Sequence, residues 1–266
     1  MDNNIISFIS VKGGVGKTTL ALETAYALAN NYNKKVLLVD CNFSAPNIGL
    51  YLDLVSDLTL HDALGEVPLH NAIYESNGID IIPASLYYKE KFDVFKLKQI
   101  LSKFKNRYDF ILLDSSPNYD ELKPVIAASD RVFIVTTPDH VTLETSLKAA
   151  VLAKEEKTPI DGIIVNKIRS PKHEYNLKEI EEKSNNLVIA KIHDSKNVLA
   201  AMHLKKPVGF CYSHDCVSKE INRFASSLCG EKEFQNRILQ KLLTTISKEK
   251  INREIYRQSY YNKQFE

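Results

Sequence analysis

The chain has 266 residues, of which 44% are hydrophobic and 26% charged, an ordinary composition for a globular protein. This composition excludes a disordered chain, a collagen-like fibre and a disulfide-stapled mini-protein. The formal net charge is +2, from 35 basic and 33 acidic residues, which is too low for a nucleic-acid coat protein. Segment 231–266 carries eight basic and five acidic residues, so the rest of the chain is slightly negative.

Short apolar runs typical of buried β-strands alternate with longer stretches at helical spacing. Seven strands are predicted, over residues 5–10, 35–40, 79–83, 108–114, 131–136, 160–166 and 187–192. Helices are predicted from residue 17 onward, over 92–104 and over 141–154. This alternation favours a doubly wound α/β fold, in which helices cover both faces of a mostly parallel sheet. We expect this domain over residues 1–230 and an amphipathic helical tail over 231–266.

The ends and the apolar runs of the chain also predict its compartment. The N-terminus lacks the charged and apolar regions of a secretory signal peptide. No uninterrupted apolar stretch approaches the ~20 residues that span a bilayer. We therefore expect a cytoplasmic protein.

A glycine-rich segment joins the first predicted strand to the first predicted helix. It consists of Lys12, Gly13, Gly14, Val15, Gly16, Lys17, Thr18 and Thr19. Glycines let main-chain N–H groups curl around phosphate oxygens, and the helix N-terminus adds partial positive charge. In such a loop Lys17 reaches the outer phosphates and Thr18 offers its hydroxyl to Mg²⁺. The segment therefore predicts a phosphate-binding loop.

Two of the predicted strands end in an aspartate. The runs LLVD and FILLD place Asp40 and Asp114 at the carboxyl ends of their strands. In open parallel sheets this edge faces the ligand crevice. Carboxylates there hold Mg²⁺ or its water ligands. We expect both residues at the metal site, and the alternative for each is a cap of the following turn.

The loop sequence KGGVGKTT resembles the deviant Walker A motif of the MinD/ParA family of ATPases. The resemblance covers about residues 4–228, and segments 44–52, 59–64 and 79–85 resemble archaeal MinD-like proteins. It implies a P-loop NTPase fold of the SIMIBI type that binds Mg-ATP. It also implies an ATP-dependent homodimer in which Lys12 reaches the partner's nucleotide. A second cation beside Lys17 is otherwise unfavourable, because the two charges repel each other within one chain.

The resemblance continues after both aspartates. Residues 40–42 resemble the family's Asp-x-Asp switch, but Asn42 replaces the second Asp. That Asp helps to activate the attacking water, and an amide orients water without accepting its proton. We therefore predict slow ATP hydrolysis and a long-lived ATP-bound dimer. Residues 114–117 resemble the second switch.

The strand over residues 160–166 ends in a candidate base-binding motif, Asn166 and Lys167. The resemblance implies that Asn166 contacts the adenine edge, which an asparagine amide matches with two hydrogen bonds. GTPases carry an Asp two residues beyond the Lys, where this chain has Arg169. Arginine cannot accept the guanine N–H protons, so ATP is favoured over GTP. Segment 192–198 resembles the second loop on the base side.

The family resemblance implies a spatial-positioning switch in cell division or in chromosome or cargo partitioning. The alternative is an ATP-dependent metallocluster carrier or a ligase-type enzyme on the same fold. An apolar stripe in the tail, formed by Phe234, Ile238, Leu242 and Ile246, favours either peripheral membrane binding at the inner face of the cell membrane or packing within the protein. Nonspecific DNA binding is the second partner hypothesis, with Lys172, Lys178, Lys205 and Lys206 as candidates. An activating protein partner is also expected.

Overall fold

The computed structural model describes residues 4–88, 92–169 and 172–230. Its strands are β1 Ile5–Ile9, β2 Val36–Cys41, β3 Tyr74–Ser76, β4 Ile79–Ile82, β5 Phe110–Ser115, β6 Arg131–Thr136, β7 Ile160–Ile168 and β8 Val188–His193. Its helices are α1 Lys17–Tyr32, α2 Ile48–Leu52, α3 Leu60–Leu64, α4 Leu97–Ser102, α5 Tyr119–Ala128, α6 His140–Glu155, α7 Leu177–Ser184, α8 Lys196–His203, α9 Val208–Cys211 and α10 Cys216–Cys229. None of the helices in these ranges has the length and apolar character required to cross a bilayer. The tail predicted over 231–266 lies outside the described residues.

The strands form one sheet in the order β3-β4-β2-β5-β1-β6-β7-β8. All neighbouring pairs are parallel except β3 and β4. This confirms the predicted fold class and the seven predicted strands. Strand β3 was not predicted, because it is a short polar edge strand. Its hairpin turn is formed by Asn77 and Gly78, with φ of 53° and 77°, and an Asn-Gly pair is a strong hairpin signal.

Side chains of β1 alternate between two apolar layers, one on each face of the sheet. On one face Ile6 and Phe8 pack with α1 and α10, and the Phe8 ring lies 6.3 Å from the ring of Phe224. On the other face Ile5 packs with Leu101 of α4. The near-continuous apolar sequence of the strands follows from burial on both faces.

The helix predicted over 92–104 is interrupted. A 3₁₀ turn over Val94–Lys96 precedes α4, and a second one over Lys105–Arg107 follows it. Asp93 caps the first turn, since its carboxylate accepts from the N–H of Phe95 at 3.0 Å. The helix predicted over 141–154 is confirmed as α6, which extends one residue further at each end.

The sheet order places the candidate site at one edge. From β1 the chain moves to β2 on one side, and later to β6 on the other side, so the topology reverses beside β1. Ligands of open α/β sheets bind at such a reversal, outside the carboxyl ends of the strands. The register pairs Asp40 of β2 with Asp114 of β5, and Asp114 with Phe8 of β1. The glycine-rich loop after β1 therefore lies at the same edge as both aspartates.

Candidate nucleotide-binding site

The glycine-rich loop connects β1 to α1, and Gly16 occupies the N-cap position of the helix with φ of 98°. Side chains rarely adopt this left-handed conformation. A Cβ at this position would also lie 2.3 Å from the Nδ2 atom of Asn166, closer than any real contact. The backbone therefore favours glycine here, and any side chain would also displace the Asn166 amide.

Asn166 and Lys167, at the end of β7, contact the backbone of the loop. The Nδ2 atom of Asn166 donates to the carbonyl oxygen of Val15 at 2.8 Å. The Nζ atom of Lys167 donates to the carbonyl oxygen of Gly14 at 2.7 Å. These bonds fix the loop against the sheet. Adenine recognition by Asn166 stays a prediction, and the amide has a further N–H and an oxygen that this bond does not use.

The two lysines of the loop have different environments. Lys17 is only 6% exposed, and its Nζ atom donates to the carbonyl oxygen of Lys12 at 3.4 Å. Burial lowers the pKa of Lys17, and the nearby Asp114 carboxylate opposes this shift. A bound phosphate would supply the anion that a buried ammonium needs. The side chain of Lys12 is exposed.

Asp114 is fully buried at the end of β5, and within the described residues neither carboxylate oxygen has a hydrogen-bond partner of good geometry. Burial raises the pKa of Asp114, and the charge of Asp40 raises it further. The Thr18 hydroxyl, the Lys17 ammonium and the N–H of Ser115 lie close enough to favour the charged form. Buried polar groups without partners are rare, and a bound ion or ligand is one explanation for them. A carboxylate and a hydroxyl together fit a magnesium ion that retains waters and phosphate oxygens as its other ligands.

Asp40 lies beside Asp114 but is bonded to the main chain. Its Oδ1 accepts from the N–H of Asn42 at 3.1 Å, and its Oδ2 accepts from the N–H groups of Asn47 and Ile48 at 3.0 Å each. Burial raises the pKa of Asp40, and the three hydrogen bonds oppose the shift. The carboxylate therefore shapes the chain after β2, and its contact with a metal stays a prediction.

Asn42 is buried, and its Oδ1 atom has no hydrogen-bond partner among the described residues. A bound water or nucleotide would satisfy this oxygen. The amide is therefore available for the water-orienting role predicted from the sequence, which itself stays a prediction.

The sequence did not indicate Tyr51 of α2. Its hydroxyl forms a hydrogen bond with the side chain of Thr19. Burial is the main cause that raises the pKa of Tyr51, and the charge of Asp114 raises it further. Tyr51 therefore joins α2 to the first turn of α1. A tyrosine in a short apolar segment is usually a core residue, so no local pattern distinguishes it.

The end of β7 also contacts the segment predicted to lie on the base side. The Nε atom of Arg169 donates to Asp194 at 2.7 Å, and the N–H of Asp194 donates to the carbonyl oxygen of Ile168 at 3.0 Å. Segment 192–198 is thus next to the Asn166 and Lys167 pair, and its role on the base side stays a prediction.

Comparison with known proteins places the chain in a family. The family described as the AAA domain matches residues 3–159, more than half of the chain. The chain belongs to this family. The matched region includes the glycine-rich loop and both strand-end aspartates.

Several individual proteins are similar to most of this chain. An uncharacterized ATP-binding protein of Methanocaldococcus jannaschii is 28% identical over 232 residues, which cover 85% of this chain and 88% of the relative. The septum site-determining protein MinD of Thermotoga maritima is 26% identical over 245 residues, covering 86% and 89%. The crystal structure of the cell division ATPase MinD of Pyrococcus furiosus has a TM-score of 0.79 at 25% identity, covering 91% of this chain and all of that one. The resemblance to MinD/ParA ATPases is confirmed.

Proposed function

We propose that the chain binds Mg-ATP through residues 12–19 and hydrolyses it to ADP and phosphate. The Asp114 carboxylate carries the proposal, because its two buried oxygens lie beside the Thr18 hydroxyl and the Lys17 ammonium and neither is in a hydrogen bond of good geometry within the described residues. Lys17 would bind the outer phosphates, while Thr18 and Asp114 would hold Mg²⁺, with Asp40 beside them. When bound, the metal ion neutralises charge on the phosphate oxygens. The relatives described as an ATP-binding protein and as an ATPase support this assignment.

The proposal includes an ATP-dependent homodimer. Lys17 already occupies the buried cation position of the loop, whereas the Lys12 side chain is exposed. An exposed lysine at the mouth of a nucleotide site can reach the phosphates of a second copy. We assign Lys12 to the partner's nucleotide, so that each site is complete only in the dimer.

Hydrolysis in this proposal is slow. An amide at Asn42 orients the attacking water but cannot accept its proton, so positioning and electrostatics supply the catalysis. A slow reaction gives the ATP-bound dimer a long lifetime. Such a dimer suits a positional switch in cell division or in partitioning of chromosomes or other cargo. The alternative of a metallocluster carrier or ligase-type enzyme stays a prediction, and the described part of the chain has no group of three or more His, Cys, Asp or Glu side chains that could hold a metal.

Two substitutions separate the roles of the lysines. Lys17→Ala is expected to weaken ATP binding at least about tenfold, because it removes a charge-assisted contact to phosphate. Lys12→Ala should keep ATP binding but lose the ATP-dependent dimer in light scattering. Unchanged ATP affinity in Lys17→Ala would contradict the site, and a wild-type monomer in Mg-ATP would contradict the dimer.

The surface on which the dimer acts is a separate part of the proposal. We favour the membrane through segment 231–266, with an activating protein that binds the ATP form. Two of the lysines considered for DNA are already paired, Lys178 with Glu182 at 3.6 Å and Lys205 with Asp53 at 2.6 Å. Co-sedimentation of the full chain with anionic vesicles in Mg-ATP should decrease in Ile238→Glu. Equal pelleting would contradict the membrane hypothesis, and a salt-dependent duplex shift would favour DNA.

A further inference from the structure

Residues 42–44, which follow β2, are held by side chains from three different elements. The first residue of this segment donates its N–H to Asp40 at 3.1 Å. The third donates its N–H to Glu121 of α5 at 3.3 Å. His61 of α3 lies against the second, with the two rings 5.7 Å apart, and is close enough to donate to its carbonyl oxygen. The main chain around the Asn42 side chain is therefore fixed by a local hydrogen bond on one side and by tertiary contacts on the other.

His61 is 2% exposed and lies in a cluster of aromatic rings. Its ring stacks on Tyr88 at 4.9 Å and meets the ring edges of Phe92 at 4.6 Å and Phe43 at 5.7 Å. Its Nδ1 atom accepts from the N–H of Ser85 at 3.1 Å, just beyond β4. The imidazole therefore joins α3, the chain after β4 and the chain after β2.

The two hydrogen bonds determine the protonation state of the ring. A nitrogen that accepts from an N–H group carries no proton, so the proton of the neutral imidazole lies on Nε2, which donates to Phe43. A second proton on Nδ1 would break the bond to Ser85 and place a charge among aromatic rings. Burial lowers the pKa of His61, although Asp62 of its own helix and Glu121 of α5 favour the charged form. The neutral ring is thus the form that fits this place.

We propose that neutral His61 is a positioning residue for ATP hydrolysis, which holds segment 42–44 so that the Asn42 amide orients the attacking water. This inference rests on the proposed function. His61 contacts the main chain of Phe43 and not the loop over residues 12–19, so it acts on the reaction step and leaves nucleotide affinity unchanged. Small displacements of a positioning group are costly, and a shift of about 1 Å reduces rates by up to about 100-fold.

The test compares two substitutions in the full chain. His61→Phe keeps an aromatic ring in the cluster but removes both hydrogen bonds, and we expect kcat to fall at least about tenfold with unchanged ATP affinity. His61→Gln keeps an N–H that can donate to the Phe43 carbonyl, and it should restore much of the rate. Below pH 6.5, the ordinary pKa of histidine, wild-type kcat should decrease more steeply than that of His61→Gln. His70 is exposed, so His70→Gln is the matched control and should have the wild-type dependence of kcat on pH.

Hydrogen exchange distinguishes failure of this inference from failure of the proposed function. His61→Phe should accelerate amide exchange in residues 42–48 of the nucleotide-free protein, because their anchor is lost. An unchanged kcat, or equal losses in kcat and in ATP affinity, would overturn the positioning role. If the wild type hydrolyses no ATP, the proposed function fails, and amide exchange alone tests whether His61 holds the segment. Faster exchange then supports the role of His61 in holding the segment, and unchanged exchange overturns it.

Discussion

Asp40 and Asp114 lie opposite each other on neighbouring strands, and both are fully buried. Asp40 accepts three main-chain N–H groups from residues 42–48 with good geometry, whereas Asp114 has only looser contacts, with the Thr18 hydroxyl and the Ser115 N–H. The difference arises beyond the strand ends. After β2 the chain turns back over Asp40, and after β5 it continues through Pro117, which has no N–H to donate. Two aspartates that each end an apolar strand thus differ in their contacts. One shapes the backbone, and the other remains available to a ligand.

The largest expected effect comes from truncating each carboxylate in turn. Asp40→Ala leaves three N–H groups without an acceptor, and the two that are buried cost about 1–3 kcal/mol each, so the free energy of unfolding should fall by about 3 kcal/mol or more. Asp114→Ala creates a similar cavity but loses only the looser contacts with Thr18 and Ser115, and we expect a change within about 1 kcal/mol. Urea unfolding without nucleotide measures both. Equal losses would show that the two carboxylates do not differ in this way.

A third buried carboxylate lies outside the site and, like Asp40, accepts main-chain N–H groups. Glu23 of α1 accepts from the N–H groups of Val208 at 2.5 Å and Gly209 at 2.9 Å. Burial is the main cause of the raised pKa of Glu23, which moves from 4.5 to about 7, and the two hydrogen bonds oppose this shift. Between these values the folded state holds a proton that the unfolded chain has lost, so stability decreases as the pH rises, by up to about 3 kcal/mol.

Glu23→Gln is the variant that isolates this contribution. An uncharged amide cannot titrate, so the decrease in unfolding free energy from pH 4.5 to about 7 should be smaller in the variant by up to about 3 kcal/mol. Urea unfolding at both ends of this range measures the difference. Parallel profiles for the two proteins would mean that Glu23 does not titrate in this window.

Much of this site follows from sequence, and the remainder depends on contacts between distant residues. The loop over 12–19 and the two strand-end aspartates are recognisable because each depends on a local run of residues. No local run shows that Asp40 accepts N–H groups up to eight positions ahead, or that His61 contacts Phe43 and Ser85. Strand β3 was predictable from the Asn-Gly turn, whereas the role of Tyr51 depends on the docking of α2 against α1.

The next prediction concerns the function of Asp114. Asp114→Asn preserves the shape of the side chain but removes the charge that would hold Mg²⁺, so ATP hydrolysis should fall about 100-fold, equivalent to about 2.7 kcal/mol. Steady-state rates over a range of Mg²⁺ concentrations measure the effect. Asp80→Asn is a control, because Asp80 accepts from the Tyr108 hydroxyl at 2.7 Å away from the glycine-rich loop. Similar losses in the two variants would contradict a specific role for Asp114.

The smallest expected effect sharpens the comparison at Asn42, which directly follows β2. Asn42→Asp supplies an oxygen that can accept a proton, which favours hydrolysis. It also adds a third carboxylate to a buried site that already contains Asp40 and Asp114, and this repulsion raises the pKa of the group and offsets part of the gain. We therefore expect single-turnover ATP hydrolysis to accelerate by no more than about tenfold, with the larger gain at higher pH, where the new carboxylate is charged. An unchanged rate across pH would show that the residue at this position does not act on the water, and that the slow step lies elsewhere.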